Sequence, residues 1–540
     1  MSPVNLNGVL NVWGGGQLLA FSGCDGKTNY QNGLVLRTSF SACGFDIKLP
    51  GAGKITFPIP VPAPAEILLG GDFFRFGSDA VKGAFLDAHH LLLEGDCRVE
   101  LEDDKLASLR NGNKTLVGTK TFFTPSLITQ DLDPILKARA AWIAGMPLPF
   151  NLPEARRKTL YKALSQMKTQ VYSPEGVIPH YWTTPDRWPH RQMWLWDSVF
   201  HAIGLRHLDI GLARQAILAL FDTQKPDGMI AHMMNPSSAS NLTQPPVIAL
   251  GVQLLHETAP SPELIAELYP KLKKYLEWDL ANRDTDGAGL CEWMVEGDVN
   301  CRCGESGLDN SSRFDCATRL DATDFNAYLA QECEIMAGFA KISGNDSDVA
   351  LWQGRHEKLC RLINERLWSE EQGFYFDYNL RDRALSGIYA VSGFLPLICG
   401  APSKAQAAKL VAHLTNPDTF GTPFRVPSVA KCHHDVYSKD MWRGPVWIST
   451  NWLIIRGLKR YGFLAEAAAL AAETMDEVEK MYMKHGTFFE FYDDRQEVDP
   501  PQLLRKGKCA PEISPYHQAF FDYGWTATLY LDLAWSDAGA

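Results

Sequence analysis

From about Asp133 to the C-terminus the chain repeats one unit: an apolar stripe at helical spacing, then a long loop rich in Gly and aromatic residues. The segment from Pro153 to Met167 opens the series, with Pro at a helix start. Further helices are expected over 197–207, 211–224, 246–258, 261–282, 324–343, 346–368, 403–414, 446–461, 463–484 and 517–534. Helices of this length, close to twelve in successive pairs, must bury their stripes against one another. The pairs have no fixed period and no repeated motif, which argues against an α-solenoid. A closed ring of helix pairs, an α/α toroid, is the expected arrangement.

The chain before about residue 130 reads differently. Short runs such as Gly33–Phe40, Phe45–Leu49, Lys54–Phe57, Cys97–Leu101 and Thr115–Gly118 are bounded by Gly, Asn and Pro. They predict an antiparallel β-sandwich. Pro58-Ile59-Pro60-Val61-Pro62-Ala63-Pro64 is expected to be an extended connection, because each Pro removes a ladder donor. The expected division is a β-sandwich domain over 1–130 and a mainly α catalytic domain over 131–540. A flap is expected around 486–512, where Pro500-Pro501 and Lys506-Gly507-Lys508 interrupt the helical pattern.

Composition narrows the partners. A formal net charge of -11 argues against nucleic acid or an anionic membrane. No apolar run has the length of a membrane span. Met1 to Asn7 lacks a basic region followed by an apolar stretch, so no secretory signal is expected. The 12 Cys are scattered through a large chain and are expected to be mostly reduced and buried, as in a cytoplasmic protein. Oligomeric state is not legible.

Several segments carry chemistry. Trp194-Leu195-Trp196-Asp197-Ser198 sets flat apolar faces beside an acceptor, which suits a sugar. Its structural alternative is a buried Trp followed by a capping Asp. His232 follows a Pro-Asp-Gly turn, and Gln244 precedes Pro245-Pro246 ahead of a helix. Trp442-Arg443-Gly444-Pro445-Val446-Trp447 enters a helix on which Asn451 lies four residues beyond Trp447, on one face. Asp309 lies in Glu305-Ser306-Gly307-Leu308-Asp309-Asn310-Ser311-Ser312-Arg313, with Glu305 and Asp315 as local competitors. Glu490 lies in Phe488-Phe489-Glu490-Phe491-Tyr492, with Asp493 and Asp494 as competitors. Glycosidic hydrolysis needs one acid for the leaving oxygen and one base for water. An aromatic setting disfavours a carboxylate's charge, and a base must stay ionised, so Glu490 requires hydrogen-bond donors around it. Trp525 adds a further ring near the C-terminus. Asp284-Thr285-Asp286-Gly287 lacks the terminal Glu of a calcium loop and reads as a turn. No metal is expected at Cys432-His433-His434-Asp435, for want of a second ligand cluster.

Five of these segments, in order over about residues 150–535, resemble the inverting glycosidases with an (α/α)6 barrel, glycoside hydrolase families 63 and 37. They are Trp194–Ser198, Gln244–Pro246, Glu305–Arg313, Trp442–Trp447 and Phe489–Tyr492. The acid segment reads Gly-Leu-Asp-Asn-Ser, nearer the family 63 form than the Gly-Trp-Asp of trehalases. The resemblance implies Asp309 as general acid and Glu490 as general base. It implies a sugar pocket drawn from Trp194, Trp196, Asp197, His232, Gln244, Gly307, Arg313, Trp442, Arg443, Trp447, Asn451, Tyr492 and Trp525. The expected activity is exo-acting inverting hydrolysis of a terminal α-linked glucose from a small carbohydrate, without a cofactor or metal. An α-mannoside or mannosylglycerate-type hydrolase, or a trehalase, is the alternative; a non-catalytic carbohydrate-binding protein is a weaker one. A hexosylglycerate substrate would also need cations in the outer subsite, and Arg443, Arg313 and Lys506 are the candidates.

Overall fold

The computed structural model describes residues 6–41, 44–77, 79–146, 148, 152–296, 298, 301–315, 317, 319–507 and 517–538. Among these residues eleven strands come first: β1 (Leu18–Ala20), β2 (Val35–Ser39), β3 (Phe45–Leu49), β4 (Gly53–Phe57), β5 (Leu68–Leu69), β6 (Phe73–Phe76), β7 (Val81–Asp87), β8 (His90–Gly95), β9 (Arg98–Leu101), β10 (Leu106–Asn111) and β11 (Lys114–Thr119). They form two antiparallel sheets, ordered β1-β2-β3-β4-β9 and β10-β11-β8-β7-β6-β5. Alternation along β2, buried at every second residue, supplies one face of the filling. Between the sheets Trp13, Phe45, Phe57, Phe74 and Phe76 interlock, with Trp13 edge-on to Phe45 at 4.9 Å. The hairpin joining β3 to β4 pairs Leu49 with Gly53, and Gly51 at its tip has φ +69, a conformation glycine adopts without steric cost. As expected, the Pro-rich segment from 58 to 63 carries no strand.

Among the described residues thirteen helices follow: α1 (Leu132–Ala144), α2 (Glu154–Gln170), α3 (Leu195–Leu205), α4 (Ile210–Asp222), α5 (Ile248–Thr258), α6 (Pro262–Asn282), α7 (Thr323–Ile342), α8 (Asp346–Arg366), α9 (Pro396–Cys399), α10 (Lys404–Thr415), α11 (Ile448–Arg460), α12 (Leu464–His485) and α13 (Gly524–Ala538). The inner ring is α3, α5, α7, α9, α11 and α13, each packed on the next and α13 back on α3. Outside them pack α2, α4, α6, α8 and α12, while α10 lies against the strand Phe374–Tyr375. The result is an (α/α)6 barrel preceded by antiparallel sheets. The sequence periodicity finds every helix of the ring except α9, whose four residues are too few to show a period. The last helix begins at Gly524 rather than 517, because residues 517–523 are used in the wall of a cavity at the mouth.

The sheets are fastened to that mouth. Arg37 of β2 donates to the carbonyls of Asp186 (2.8 Å) and Trp188 (2.7 Å), and Lys168 of α2 pairs with Asp72 (2.9 Å). Of the expected flap, residues 488–492 are a wall, paired through Tyr492 with Val446 and through Phe489 with Phe521; Leu504 pairs with Asp440 and Gln518. Residues 508–512 of the flap lie outside the described residues. No helix among the described residues is long and apolar enough to cross a membrane, and the nine described cysteines are free thiols. Near the barrel, the carboxylates of Asp284, Asp286 and Glu292 come together, with Glu292 accepting from the Thr285 (2.8 Å) and Asp286 (3.1 Å) amides.

Inside the ring, Glu332 of α7 is wholly buried and accepts from the amides of Ala249 (2.7 Å) and Leu250 (2.9 Å) at the start of α5. Burial pushes its carboxyl from 4.5 up to about 8, against those two donors. The folded state therefore keeps a proton that the unfolded chain releases. This contribution to stability is complete below about pH 4.5 and is lost as pH rises through about 8. Gln is the shape of the protonated acid. Melting curves of Glu332→Gln should thus fall less steeply than wild type between pH 5 and 8; parallel curves would remove Glu332 as the titrating group.

Candidate active site

A small cavity at the mouth of the barrel, about 60 Å3, gathers residues from seven separate segments. Trp194, Trp196 and Asp197 come from the start of α3, and Gln244 from the loop before α5. Gly307 and Asp309 come from the long α6–α7 connection, and Met441 and Trp447 from the approach to α11. Glu490 follows α12, and Tyr523 and Trp525 sit at the start of α13. His190, Arg505 and Lys506 complete the lining.

The floor is aromatic. Trp525 stands edge-on to Trp196 (5.1 Å, 90°) and steeply to Trp447 (5.4 Å, 67°). Trp442 lies flat against the far side of Trp447 (3.8 Å, 2°) and is fully buried, so it supports the floor without lining it. Gly307 lets Asp309 reach this floor. Its φ is +68, and a Cβ there would sit 2.4 Å from the Trp196 ring. Gln244 fixes Trp196 from the other side by accepting its amide at 3.2 Å.

Two carboxylates face two cations. Arg505 donates from Nε to Glu490 Oε2 (2.8 Å) and from Nη2 to Oε1 (3.1 Å), the fork geometry favoured for carboxylates. Lys506 Nζ meets Asp309 Oδ2 at 2.6 Å. The Glu490 side chain is 1% exposed and that of Asp309 18%. Arg505 is the donor that the aromatic surroundings of Glu490 require. Asp440 ties these strands together: its Oδ1 accepts from the Lys506 amide (2.7 Å) and Asn310 Nδ2 (3.1 Å), while Asn310 Oδ1 accepts from the Trp442 amide (3.0 Å). Burial pushes the Asp197 carboxyl well above the ordinary carboxylate range, and the neighbouring Glu490 and Asp186 push the same way.

The local competitors are committed elsewhere. Glu305 is forked by Arg283, Asp315 by Arg443 (2.9 and 2.7 Å), Asp493 is held by Lys439 (2.6 Å) and Asp494 accepts from Tyr437 (2.6 Å). Asp309 and Glu490 are the carboxylates of their two segments that line the cavity.

Besides Trp442, five residues expected in the pocket do not line it. Arg313 is buried between Asp324 and Asp377. Arg443 spends its guanidinium on Asp315. Asn451 donates to the Arg425 carbonyl (2.9 Å) and Thr474 (3.1 Å). Trp447 is the extended residue before α11, so the helical four-residue spacing that put Asn451 beside it does not apply. The Tyr492 hydroxyl accepts the Phe489 amide at 3.1 Å, inside the wall. His232 stands behind Trp194, edge-on at 5.1 Å, with Nδ1 on Ser240 Oγ at 2.6 Å; burial lowers its pKa to about 4. His190, Met441, Arg505 and Tyr523 enter the site without having been singled out as site residues.

A family profile described as the mannosylglycerate hydrolase MGH1-like glycoside hydrolase domain matches residues 190–498, more than half of the chain. Mannosylglycerate hydrolase of Thermus thermophilus is 28% identical over 395 residues, covering 58% of this chain and 91% of that protein. Glucosylglycerate hydrolase of Mycolicibacterium hassiacum is 24% identical, covering 57% and 87%. The crystal structure of the family 63 mannosylglycerate hydrolase from Thermus thermophilus in complex with glucose superposes with a TM-score of 0.56 at 26% identity, covering 69% of this chain and 98% of that one. The chain is a glycoside hydrolase and belongs to the mannosylglycerate hydrolase MGH1-like domain family.

Proposed function

We propose that this hydrolase cleaves, with inversion, the α-mannoside or α-glucoside of a small hydroxy acid of the glycerate type. Asp309 is the general acid and Glu490 the general base. The observation that carries the reading is the pair of consecutive cations set on the two carboxylates, Lys506 on Asp309 and Arg505 on Glu490. An acidic aglycone brings its own carboxylate close to the glycosidic oxygen, where Asp309 must act. Lys506 is the cation within reach of that point, since Arg313 and Arg443 are committed to other carboxylates. The curated relatives named as mannosylglycerate and glucosylglycerate hydrolases favour this reading over a terminal glucose on a neutral sugar.

The steps follow from the lining. The terminal sugar rests on Trp196, Trp447 and Trp525, and its hydroxyls meet Gln244 and Asp197, whose raised pKa lets it donate as well as accept. A general acid must carry its proton on the oxygen that faces the leaving group. Lys506 donates to Asp309 Oδ2, so it must leave that oxygen first, and the aglycone carboxylate offers it another partner. Arg505 keeps Glu490 an acceptor, and Glu490 takes a proton from water on the opposite face of the sugar. Asp309 gives its proton to the leaving oxygen, and a free β-anomer results. The cavity of about 60 Å3 holds a few waters, not a hexose, so Lys506 withdraws from Asp309 as the sugar enters while Arg505 stays on Glu490.

Proton NMR of mannosylglycerate and glucosylglycerate digests is the direct test: the first free sugar should be the β-anomer, and initial release of the α-anomer would overturn the mechanism. Lys506→Met should weaken kcat/KM on these acids by roughly 10–100-fold relative to a neutral disaccharide such as kojibiose, the worth of a charge-assisted hydrogen bond. An equal loss on both would remove Lys506 as the reader of the aglycone.

A further inference from the structure

A second cavity, about 490 Å3, opens beside the first and shares His190 and Arg505 with it. Resting on the reading above, we infer that it is an outer subsite for an aglycone larger than glycerate, one that carries a further hexose ring. Three observations lead there. The first is size. The volume falls within the roughly 300–1,000 Å3 usual for small-ligand sites, far more than a three-carbon acid fills.

The second is chemistry. Phe520 stands edge-on to His190 (4.9 Å, 77°), and the Arg505 guanidinium lies 4.3 Å from the Phe520 ring centre. Trp188 is half-buried in the same lining, and His517 adds an imidazole. Flat rings with a few convergent polar groups are what a sugar needs, since its C–H face stacks while its hydroxyls seek partners. His190 and Arg505 border both cavities, so the added ring lies outward of them, against Trp188.

The third is the wall contributed by the N-terminal sheets. Gly51, at the tip of the β3–β4 hairpin, lines the cavity and has open space where a Cβ would stand. The Trp188 carbonyl is held by Arg37 of β2 at 2.7 Å, so the sheets both wall the cavity and place its platform. Of these lining residues only His190 lies within 190–498, the span matched by the family profile. The subsite is thus built from parts of this chain that the family match does not reach.

The test is kinetic, on the full chain, with mannosylglycerate and with the same glycoside extended by one hexose on the glycerate. Wild type should favour the extended substrate at least tenfold in KM. Trp188→Ala should bring that ratio near one, Trp188→Phe should retain most of it, and Gly51→Asn, which keeps the left-handed backbone accessible and adds bulk at the rim, should reduce it. Turnover of both substrates with equal KM, or a ratio untouched by Trp188→Ala, would overturn the subsite and leave the proposed function standing. If neither is hydrolysed, the proposed function fails, and calorimetric titration with hexosylglycerate decides the subsite. Binding weakened at least tenfold by Trp188→Ala supports it; no binding, or binding unchanged by the substitution, overturns it.

Discussion

Asp309→Asn and Glu490→Gln should each lower kcat on a glycerate glycoside by roughly 10²–10⁴-fold, the usual contribution of a positioned acid or base. The two losses should differ in kind. An α-glycosyl fluoride has a leaving group that needs no protonation. Asp309→Asn should recover most of its rate on the fluoride, and Glu490→Gln should not, because water must still be deprotonated. Each substitution keeps an acceptor for the cation it faces: Asn for Lys506 at Oδ2, Gln for one arm of the Arg505 fork. A circular dichroism spectrum matching wild type therefore accompanies the loss. Full activity in either variant would remove that residue from the chemistry. If Asp309→Asn stays equally slow on the fluoride, the acid is elsewhere. Asp197 is then the next candidate, since it lines the same cavity and its carboxyl is pushed well above the ordinary range by burial.

The helical ring was legible because its helices are amphipathic and long enough to show a 3.6-residue period. Several strands were not. β7 and β8 read VKGAFLD and HLLLEG, with runs of buried residues on both faces. One face packs on the sandwich core through Val81, Phe85, Leu91 and Leu93, and the other on the barrel side through Ala84 and Leu92, so the period-two signal is lost. In the site, segments that combine Trp with a carboxylate or amide stood out, and Trp196, Asp197, Gln244, Asp309, Trp447 and Glu490 all line one cavity. Arg505 did not stand out, because nothing in Leu503-Leu504-Arg505-Lys506 marks whether its side chain turns inward or outward. That choice depends on pairing with residue 440, far away in the chain. Arg313 stood out for the wrong reason: four residues past Asp309 is near in sequence, yet the turn at Ser312–Phe314 sends its side chain into the core.

Arg313 gives the second large effect, and on stability rather than chemistry. Its guanidinium is fully buried and bonds Asp324 (3.0 and 2.5 Å) and Asp377 (3.1 Å). Burial disfavours its charge, but the two carboxylates outweigh that and hold it protonated. Asp324 also accepts from Trp293 (2.9 Å), and Asp377 from the Thr323 amide (2.8 Å) and hydroxyl (2.9 Å). The trio thus joins the turn that follows Asp309 to the start of α7 and to the strand region at 377. Arg313→Met keeps much of the side-chain bulk but leaves two buried carboxylates facing each other without a cation. Breaking such a cluster costs about 3–5 kcal/mol. A clear fall in urea midpoint and melting temperature should follow. Assayed well below the transition, kcat/KM should stay within about tenfold of wild type, because Arg313 touches no part of the cavity. A substrate-binding arginine would give the reverse, with melting unchanged and KM raised by orders of magnitude. That pattern would return Arg313 to the site. Its absence would leave Lys506 and Arg505 as the cations that face the acidic part of the substrate.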